Sequence, residues 1–349
     1  MIKVDFIIVG SGLAGILLCE VLKRHNKSFV VFENDSQYSS TVAGGLYNPV
    51  VLKRFTQVWK AKEQLDLGLP MYHQLEQRLN IKLDYKIPVY RLFASIEEQN
   101  NWFEACDKPN LSQFLSSEIF HIDNSAIKNN FGFGKVLETG RIDTATLVKS
   151  YRERLQKNKQ LIKETFVYGE LICKQTQVSY NNFKAKHIVF AEGFGVIDNP
   201  FFNYLPLKPT KGELLTIHAP DLKIDFVLKS SLFLIPLGND LYHVGATYDW
   251  DDMSPNITVK AKKELLNKLD KFLNCEYKVI DQVAGIRPTV KDRRPIVGQH
   301  QQHKNMFILN GLGTRGVMIA PYVAEQLFNY IEYGNSLESE IDISRFNKK

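Results

Sequence analysis

The chain has 349 residues, of which 44% are hydrophobic and 23% are charged, and its 21 glycines are spread along its length. This size suffices for one large domain or two interleaved domains, and the composition is that of an ordinary globular protein. No apolar run approaches the roughly 20 residues that a membrane span requires, so no transmembrane helix is expected. The 44 basic and 38 acidic residues give a net charge of +6, and the lysines are scattered along the chain. This distribution favours an ordinary solvated surface over a surface that binds a polyanion.

The four cysteines, Cys19, Cys106, Cys173 and Cys275, are far apart in the sequence. No two of them have the short spacing of a zinc or redox site, so we predict reduced thiols and no metal site. The N-terminal residues enter a strand-like segment directly, without a signal-peptide pattern before it. Together these features predict a cytoplasmic protein.

The N-terminal segment predicts a strand, a glycine-rich turn, a helix and a second strand in close succession. Phe6-Ile7-Ile8-Val9 is a continuous apolar run typical of a parallel strand that is buried on both faces. Gly10-Ser11-Gly12-Leu13-Ala14-Gly15 follows, and a helical apolar pattern then continues to about His25. A second apolar strand is predicted over residues 28–33, and it ends in Glu33.

The rest of the chain alternates between helical and strand-like patterns. In chain order we predict an irregular glycine-rich stretch (43–54), a helix (59–79), short strands and loops (81–133), a helix (144–155), a strand (187–190), an antiparallel sheet (206–248), a helix (257–273), a strand (306–309) and a helix (317–333). No internal repeat or flexible linker separates these elements. The domains are therefore expected to be interleaved rather than arranged in series.

The N-terminal turn has the G-x-G-x-x-G pattern of a dinucleotide-binding site. Gly10 permits the tight turn, Gly12 lets the backbone approach a pyrophosphate, and Gly15 allows close packing of the helix on the strand. The helix N-terminus then offers free N–H groups and the positive end of its dipole to the phosphates. Glu33 is placed to accept hydrogen bonds from the adenosine ribose, and an acid there disfavours NADP because it repels a 2′-phosphate.

A second glycine-rich segment near the C-terminus bears on the choice between NAD and FAD. Asn310-Gly311-Leu312-Gly313-Thr314-Arg315-Gly316 lies between a predicted strand and a predicted helix, so it forms another backbone anion site. A flavin needs such a site, because its two-electron reduction leaves negative charge near N1 and C2=O. A nicotinamide has no such requirement, and the sequence therefore favours FAD.

An arginine within Ala284-Gly285-Ile286-Arg287-Pro288-Thr289 is the candidate substrate anchor. Beside a flavin, Arg287 could bind a substrate carboxylate through two charge-assisted hydrogen bonds. The alternative is a structural ion pair. Arg315 is a second candidate, with a contact to the protein or to the flavin as the alternative.

Taken together, these motifs resemble the D-amino-acid oxidase family of flavoproteins over nearly the whole chain. The resemblance rests on the N-terminal fingerprint, Ala43-Gly44-Gly45-Leu46-Tyr47-Asn48-Pro49, Lys211-Gly212-Glu213, Val244-Gly245-Ala246-Thr247, Gly285-Ile286-Arg287-Pro288 and the run from Gly311 to Gly316. Two kinds of member look most similar. One is glycine oxidase, and the other is the flavin half of a bifunctional enzyme that removes a carboxymethyl group from a wobble-uridine amine in tRNA.

The resemblance implies an α/β fold, in which a Rossmann-type FAD-binding domain is interleaved with an antiparallel-sheet α+β domain that covers the substrate. We predict residues 1–58, 140–205 and 284–349 for the FAD-binding domain and residues 59–139 and 206–283 for the substrate domain. No cysteine follows Arg287, where sarcosine oxidases attach FAD covalently, so non-covalent FAD is expected.

The resemblance also implies site residues. Arg287 and Arg315 would face the substrate carboxylate, and both would lie beside the flavin. The cofactor residues carried over by motif are Gly10, Ser11, Gly12, Leu13, Ala14, Glu33, Asn34, Ala43, Gly44, Gly45, Leu46, Val167, Ala191, Gly193, Arg287, Gly311, Gly313, Thr314, Arg315 and Gly316.

One departure concerns the substrate. Glycine-oxidase-like members tend to carry a tyrosine where this chain has Phe233, so one hydrogen-bond donor to a carboxylate is lost. The leading hypothesis is an FAD-dependent enzyme that oxidises the C–N bond of glycine, sarcosine or a D-amino acid by hydride transfer to flavin, with O2 or another electron acceptor. The less favoured alternative is action on a carboxymethylated tRNA wobble uridine. An NAD-dependent dehydrogenase and a flavin-binding protein without activity are the remaining hypotheses.

Overall fold

The computed structural model describes residues 1–347 and has two large sheets and six α-helices within that range. The helices are α1 (Leu13–Arg24), α2 (Ala61–Leu79), α3 (Ile96–Cys106), α4 (Thr144–Lys157), α5 (Val259–Leu269) and α6 (Gly316–Tyr333). The strands are β1 (Ile2–Val9), β2 (Phe29–Phe32), β3 (Leu46–Tyr47), β4 (Val50–Val51), β5 (Thr56–Gln57), β6 (Asp84–Tyr85), β7 (Val89–Leu92), β8 (Leu115–Phe120), β9 (Phe133–Val136), β10 (Gly140–Ile142), β11 (Leu161–Ile162), β12 (Ile172–Lys174), β13 (Gln177–Tyr180), β14 (Phe183–Phe190), β15 (Thr210–His218), β16 (Val227–Lys229), β17 (Phe233–Gly238), β18 (Leu241–Gly245), β19 (Lys278–Arg287), β20 (Ile296–Gln299) and β21 (Met306–Asn310).

The first sheet is built around the N-terminal strand. Its strands β11, β2, β1, β14 and β21 are parallel neighbours in that order, β20 adds an antiparallel edge, and the β12–β13 hairpin joins the first half of β14. Phe6 and Ile8 pack into the same apolar cluster as helices α1 and α6, while Ile7 and Val9 pack into the cluster on the opposite face. Burial on both faces explains the continuous apolar run in the sequence, as predicted.

The second sheet has the strand order β19-β15-β18-β17-β16-β7-β9-β8. Its neighbours are antiparallel except for the parallel pair β16–β7. Residues alternate between its faces, so Leu234 packs with helix α5 in a third apolar cluster, whereas Phe233 and Ile235 face a cavity between the two sheets. The second sheet therefore covers the carboxyl edge of the first.

The predicted helices are present, with ends that differ from the predicted ones by zero to four residues. Helix α3 was not predicted, because only Trp102, Ala105 and Cys106 of its 11 residues are buried and the helical period of apolar residues is weak. Its N-terminus is capped by Ser95, whose side chain accepts a hydrogen bond from the Glu98 N–H. None of the helices within residues 1–347 combines the length and apolarity of a bilayer-spanning segment.

The two sheets draw on alternating parts of the chain, which confirms the α/β fold with an antiparallel second sheet. The first sheet takes its strands from residues 2–32, 161–190 and 296–310, and the second from residues 89–136 and 210–287. Strand β19 runs across the predicted boundary at residue 284. The domain boundaries themselves stay a prediction, and residues 348–349 of the last segment lie outside the described residues.

We expect Gly15→Ala to destabilise the protein by about 2 kcal/mol or more. A Cβ on Gly15 would lie 2.0 Å from the Gly10 carbonyl oxygen, so the turn or the helix must move. Gly169→Ala is the matched control, because its Cβ would meet no atom within 4 Å and the free energy of unfolding should change by no more than about 0.5 kcal/mol. Urea unfolding measures both. Equal stability of the two variants would contradict the close packing of helix α1 on strand β1.

Candidate cofactor and substrate site

A cavity of about 1270 Å³ lies between the carboxyl edge of the first sheet and one face of the second. Its wall comes from the turn after β1, the segment 36–59, the turn after β14 and the segments 285–294 and 310–319. The volume exceeds the roughly 300–1000 Å³ of ordinary small-molecule pockets, so there is room for a large cofactor and a substrate together. The carboxyl edge of a parallel sheet is also where α/β folds bind ligands.

Two helix N-termini point at this cavity. Helix α1 starts after Gly12, and helix α6 starts after Arg315. Neither N-cap residue, Gly12 or Arg315, caps its helix with its own side chain, and neither helix has an acidic residue in its first turn. In α1 the Leu13 N–H donates to the hydroxyl of Ser40 at 3.0 Å. Because a helix N-terminus carries partial positive charge, both ends favour an anionic group in the cavity.

Glu33 is held by the protein at the adenosine end of the fingerprint. Its Oε2 accepts hydrogen bonds from the N–H and the hydroxyl of Ser11, both at 2.7 Å, and from Arg152 Nη2 at 2.8 Å. Its Oε1 accepts from the Asp35 N–H at 2.9 Å. The carboxylate is therefore held in one orientation on the cavity wall. Arg152, which orients it, was not singled out from the sequence.

Most of the predicted site residues do meet at this cavity. The wall contains Gly10, Gly12, Leu13, Ala14, Glu33, Asn34, Ala43, Gly44, Gly45, Leu46, Ala191, Gly193, Arg287, Gly311, Gly313, Thr314, Arg315 and Gly316. Ser11 and Val167 are not among the wall residues, and their cofactor contacts stay a prediction. Ser11 gives both of its donors to Glu33, and Val167 is 47% exposed and donates its N–H to the Tyr180 hydroxyl at 2.8 Å.

Arg287 enters the cavity over a glycine of the neighbouring strand. A Cβ on Gly212 would lie 1.9 Å from Arg287 Nη2, so the guanidinium occupies the space that a side chain would fill. Its Nη1 has only long hydrogen bonds to the carbonyl oxygens of Lys211, at 3.4 Å, and Thr247, at 3.3 Å. The guanidinium carbon lies 4.8 Å from the centre of the Tyr248 ring. This geometry leaves hydrogen-bond donors free to bind a carboxylate.

Arg287 and Arg315 are two half-buried cations without a counter-ion among the described residues. Desolvation lowers the pKa of both guanidinium groups, and Arg293 lowers that of Arg315 further. No carboxylate in the described part of the chain forms an ion pair with either of them. A desolvated charge without a partner is unfavourable, so an anionic ligand that binds both side chains would stabilise them.

Two further titratable groups on the wall were missed by the sequence analysis. Lys229 lies on β16, and Glu192 follows the turn after β14. A lysine within the otherwise apolar strand Val227–Lys229 is a signal that could have identified the first. Glu192 could not have been identified, because its partners Tyr168 and Asn199 are brought to it only by the fold.

Comparison with known proteins decides the family. Residues 5–329 match the DAO family model, which describes FAD-dependent oxidoreductases. The chain belongs to the DAO family of FAD-dependent oxidoreductases. FAD is therefore the cofactor of this DAO-family protein, and the cavity fits it, because it presents two helix N-termini without an acidic residue in the first turn and an oriented carboxylate.

The relatives of this DAO-family protein are distant in sequence. It is 23% identical over 339 residues to glycine oxidase of Bacillus subtilis (strain 168), covering 91% of this chain and 90% of that protein. It is 22% identical over 385 residues to the tRNA 5-methylaminomethyl-2-thiouridine biosynthesis bifunctional protein MnmC of Haemophilus ducreyi, covering 94% of this chain but 56% of that protein. The solved structure of glycine oxidase from Geobacillus kaustophilus superposes with a TM-score of 0.76 at 16% identity, covering 99% and 98% of the two chains.

The stability of the protein should depend on the protonation of Glu192. Burial raises the pKa of this carboxyl from 4.5 to about 7, against the opposing hydrogen bonds from Tyr168 and Asn199. The folded state therefore binds the proton more tightly than the unfolded state. The stabilisation is fully present below pH 4.5 and is lost as the pH rises through 7.

We expect Glu192→Gln, which stays neutral, to gain stability relative to the wild type between pH 5 and pH 8.5, by roughly 1–3 kcal/mol. Urea unfolding at the two pH values, with FAD in fixed excess, measures this difference. Glu170→Gln, at an exposed position nearby, is the control and should show no such change with pH. A Glu192→Gln difference that does not vary with pH would show that the carboxyl is already ionised at pH 5.

Proposed function

We propose that this protein oxidises the C–N bond of an amine that carries a carboxylate, of the glycine, sarcosine or D-amino-acid type. The observation that supports the proposal is the pair of half-buried guanidinium groups, Arg287 and Arg315, which lie on the cavity wall without a counter-ion among residues 1–347. Bound FAD would accept the hydrogen of the α-carbon with its electron pair. The C–N bond then becomes an imine, which water hydrolyses to a carbonyl compound and an amine or ammonia.

Positioning is the main contribution of the protein to this reaction. Arg287 would bind the carboxylate, and because its guanidinium is packed over Gly212 the carboxylate is held in one place. Holding the reacting carbon at near-attack distance removes much of the entropic barrier. Phe233 and Ile235 form an apolar part of the wall that limits the access of water. The amine must react in its neutral form, and no histidine lines the cavity within residues 1–347.

The chain's own residues would hold FAD without a covalent bond. The N-terminus of α1 and Glu33 would bind the ADP half, and the N-terminus of α6 would lie at the flavin end, where it favours negative charge on the reduced ring. The position after Arg287 is Pro288, which offers no nucleophile for covalent attachment.

We expect Arg287→Ala to lower kcat/KM for the reactive amine by about 100- to 1000-fold while FAD remains bound, because the carboxylate loses a bidentate charge-assisted partner. Anaerobic mixing with glycine, sarcosine and a D-amino-acid panel, followed by flavin absorbance, identifies the reactive amine and measures the loss. Arg287→Lys should recover only part of it, since an ammonium cannot replace the planar guanidinium. Arg24→Ala, on the outer surface of α1, is the control. An unchanged kcat/KM in Arg287→Ala would contradict the proposal that Arg287 binds the substrate carboxylate.

A modified tRNA is the second candidate substrate, and a feature of the cavity mouth favours it. Lys53 and Arg54 are exposed, line the cavity, and have no ion-pair partner in the part of the chain that the structure describes. Exposed cations at a mouth are suited to phosphates of a nucleic acid whose modified base enters the cavity. The similarity to MnmC also supports this candidate.

If tRNA is the substrate, the double variant Lys53→Ala/Arg54→Ala should bind carboxymethylaminomethyl-uridine tRNA more weakly and with a salt dependence smaller by about two charges. Its reaction with small amines should be unchanged. Lys157→Ala/Lys271→Ala removes the same charge from exposed positions away from the wall and is the control. Binding titrations from 50 to 200 mM salt measure the effect. Equal slopes in the two double variants would exclude this contact.

A further inference from the structure

Lys229 and Arg287 line the same cavity from the same face of the second sheet, on strands that are four positions apart. It ends strand β16, where residues alternate so that Leu228 packs with helix α5 while Lys229 lines the cavity. Its neighbour across the antiparallel pair β16–β17 is Phe233, and Lys229 Nζ lies 4.6 Å from the centre of that ring. The ammonium group therefore leans toward the middle of the cavity roof, over an aromatic face.

The charged groups around Lys229 leave it without a counter-ion. Its backbone neighbour on β7 is Arg91, which forms an ion pair with Glu98 and donates to the Ser230 carbonyl oxygen at 2.5 Å. Glu98 is further engaged by the Ala94 N–H at 2.8 Å. The other nearby cation, Lys268, is paired with Glu264. Glu98, the carboxylate whose charge acts on Lys229, is thus shared with Arg91, and Lys229 has no ion pair of its own among residues 1–347.

The pKa of Lys229 reflects this environment. Burial, together with the positive charges of Arg91 and Lys268, lowers its pKa to about 8, and the negative charge of Glu98 opposes this shift. An ammonium that is desolvated beside other cations gains stability when an anion binds it. A half-buried lysine with these neighbours destabilises the protein unless a bound anion neutralises its charge.

The sheet register gives the separation between Lys229 and Arg287. The guanidinium of Arg287 lies over Gly212 on β15, and β18 and β17 lie between β15 and β16. Three strand spacings correspond to roughly 14 Å across the strands, and Gly212 is offset by a further two residues, roughly 7 Å, along β15 from the row that contains Lys229. Both side chains lean inward, because Lys229 reaches over Phe233 and Arg287 reaches from β19 onto β15. The side chains of Leu214, which packs over Gly245, and of Phe233 lie between them on the same face and form the apolar wall of this part of the cavity.

We propose that Lys229 forms a second anion subsite, so that the substrate is an amine with a carboxylate at Arg287 and a second carboxylate on its other substituent at Lys229. This inference rests on the proposed function and adds the substrate class to it. One anionic group would be held beside the reacting carbon and the other would select the length of the substrate. A lysine at that distance from the reaction is a specificity-determining residue.

A homologous series of amines tests the subsite. The probes are N-carboxymethyl ω-amino acids with one to five methylene groups before the second carboxylate, each compared with its monoamide, which lacks the second charge. Anaerobic flavin reduction by the FAD-loaded protein should be about 10- to 100-fold faster in kcat/KM for the best diacid than for its monoamide. Lys229→Met should remove this preference by slowing the reaction of the diacid, and should keep FAD bound.

Two further variants separate charge from packing. Lys229→Arg keeps the cation and should retain most of the preference, whereas Lys260→Met removes an 86% exposed lysine side chain on α5 and should change nothing. A diacid preference that persists in Lys229→Met would overturn the subsite while leaving the proposed function intact, provided that Arg287→Ala still abolishes reduction.

A labelling experiment keeps the subsite testable if no amine of the series reduces the flavin. Acetic anhydride at pH 8 should acetylate Lys229, and mass spectrometry of the FAD-loaded protein quantifies the modified peptide. The best-binding diacid should protect Lys229 several-fold, and its monoamide should not. Protection without flavin reduction would support the subsite and count against the proposed reaction. Equal labelling with diacid and monoamide would exclude a second anion site at Lys229.

Discussion

The architecture depends on close approach of backbone to backbone, and of side chain to backbone, at a small number of glycines around one cavity. A Cβ on Gly15 would overlap the carbonyl oxygen of Gly10, and a Cβ on Gly285 would lie 2.6 Å from Val42 Cγ2. A Cβ on Gly212 would displace the guanidinium of Arg287. The contact at Gly15 packs helix α1 on β1, and the contact at Gly285 packs the second sheet on the segment before β3. The contact at Gly212 positions Arg287, the proposed substrate anchor.

Positive charge is the second common feature of the cavity. Two helix N-termini and the guanidinium groups of Arg287 and Arg315 converge from the two ends of the chain. Their burial is unfavourable in the protein alone, since the described residues supply no counter-ion to either arginine. A pyrophosphate, the reduced flavin and a substrate carboxylate are all anions, so cofactor and substrate each relieve part of the same electrostatic cost.

The distant relatives agree with this chain in fold and differ in what they act on, as their names state. At 16% identity the glycine oxidase from Geobacillus kaustophilus shares the fold over nearly the whole chain. The parts that select a substrate are therefore to be sought in individual side chains. Phe233 and Lys229 are neighbours on the cavity roof, and both differ in chemistry from a tyrosine donor. In the proposed second subsite, this pair would replace a hydrogen bond from a hydroxyl with binding by an ammonium.

The chain reveals its cofactor class through local patterns, because a tight turn needs Gly10 and a strand buried on both faces needs an uninterrupted apolar run. For the same reason, the glycines from Gly311 to Gly316 and the block around Arg287 can be recognised without a structure. Helix α3 could not be predicted, since few of its residues are buried.

By itself, then, the sequence determined the α/β class, the dinucleotide fingerprint and FAD as the cofactor. The tertiary structure decided that Ser11 turns its donors to Glu33, that Val167 faces solvent, and that Lys229 shares a cavity with Arg287. The physical reason is sequence separation. Hydrogen-bond partners 22 residues apart, and cations on strands four positions apart in one sheet, meet only when the sheets are formed.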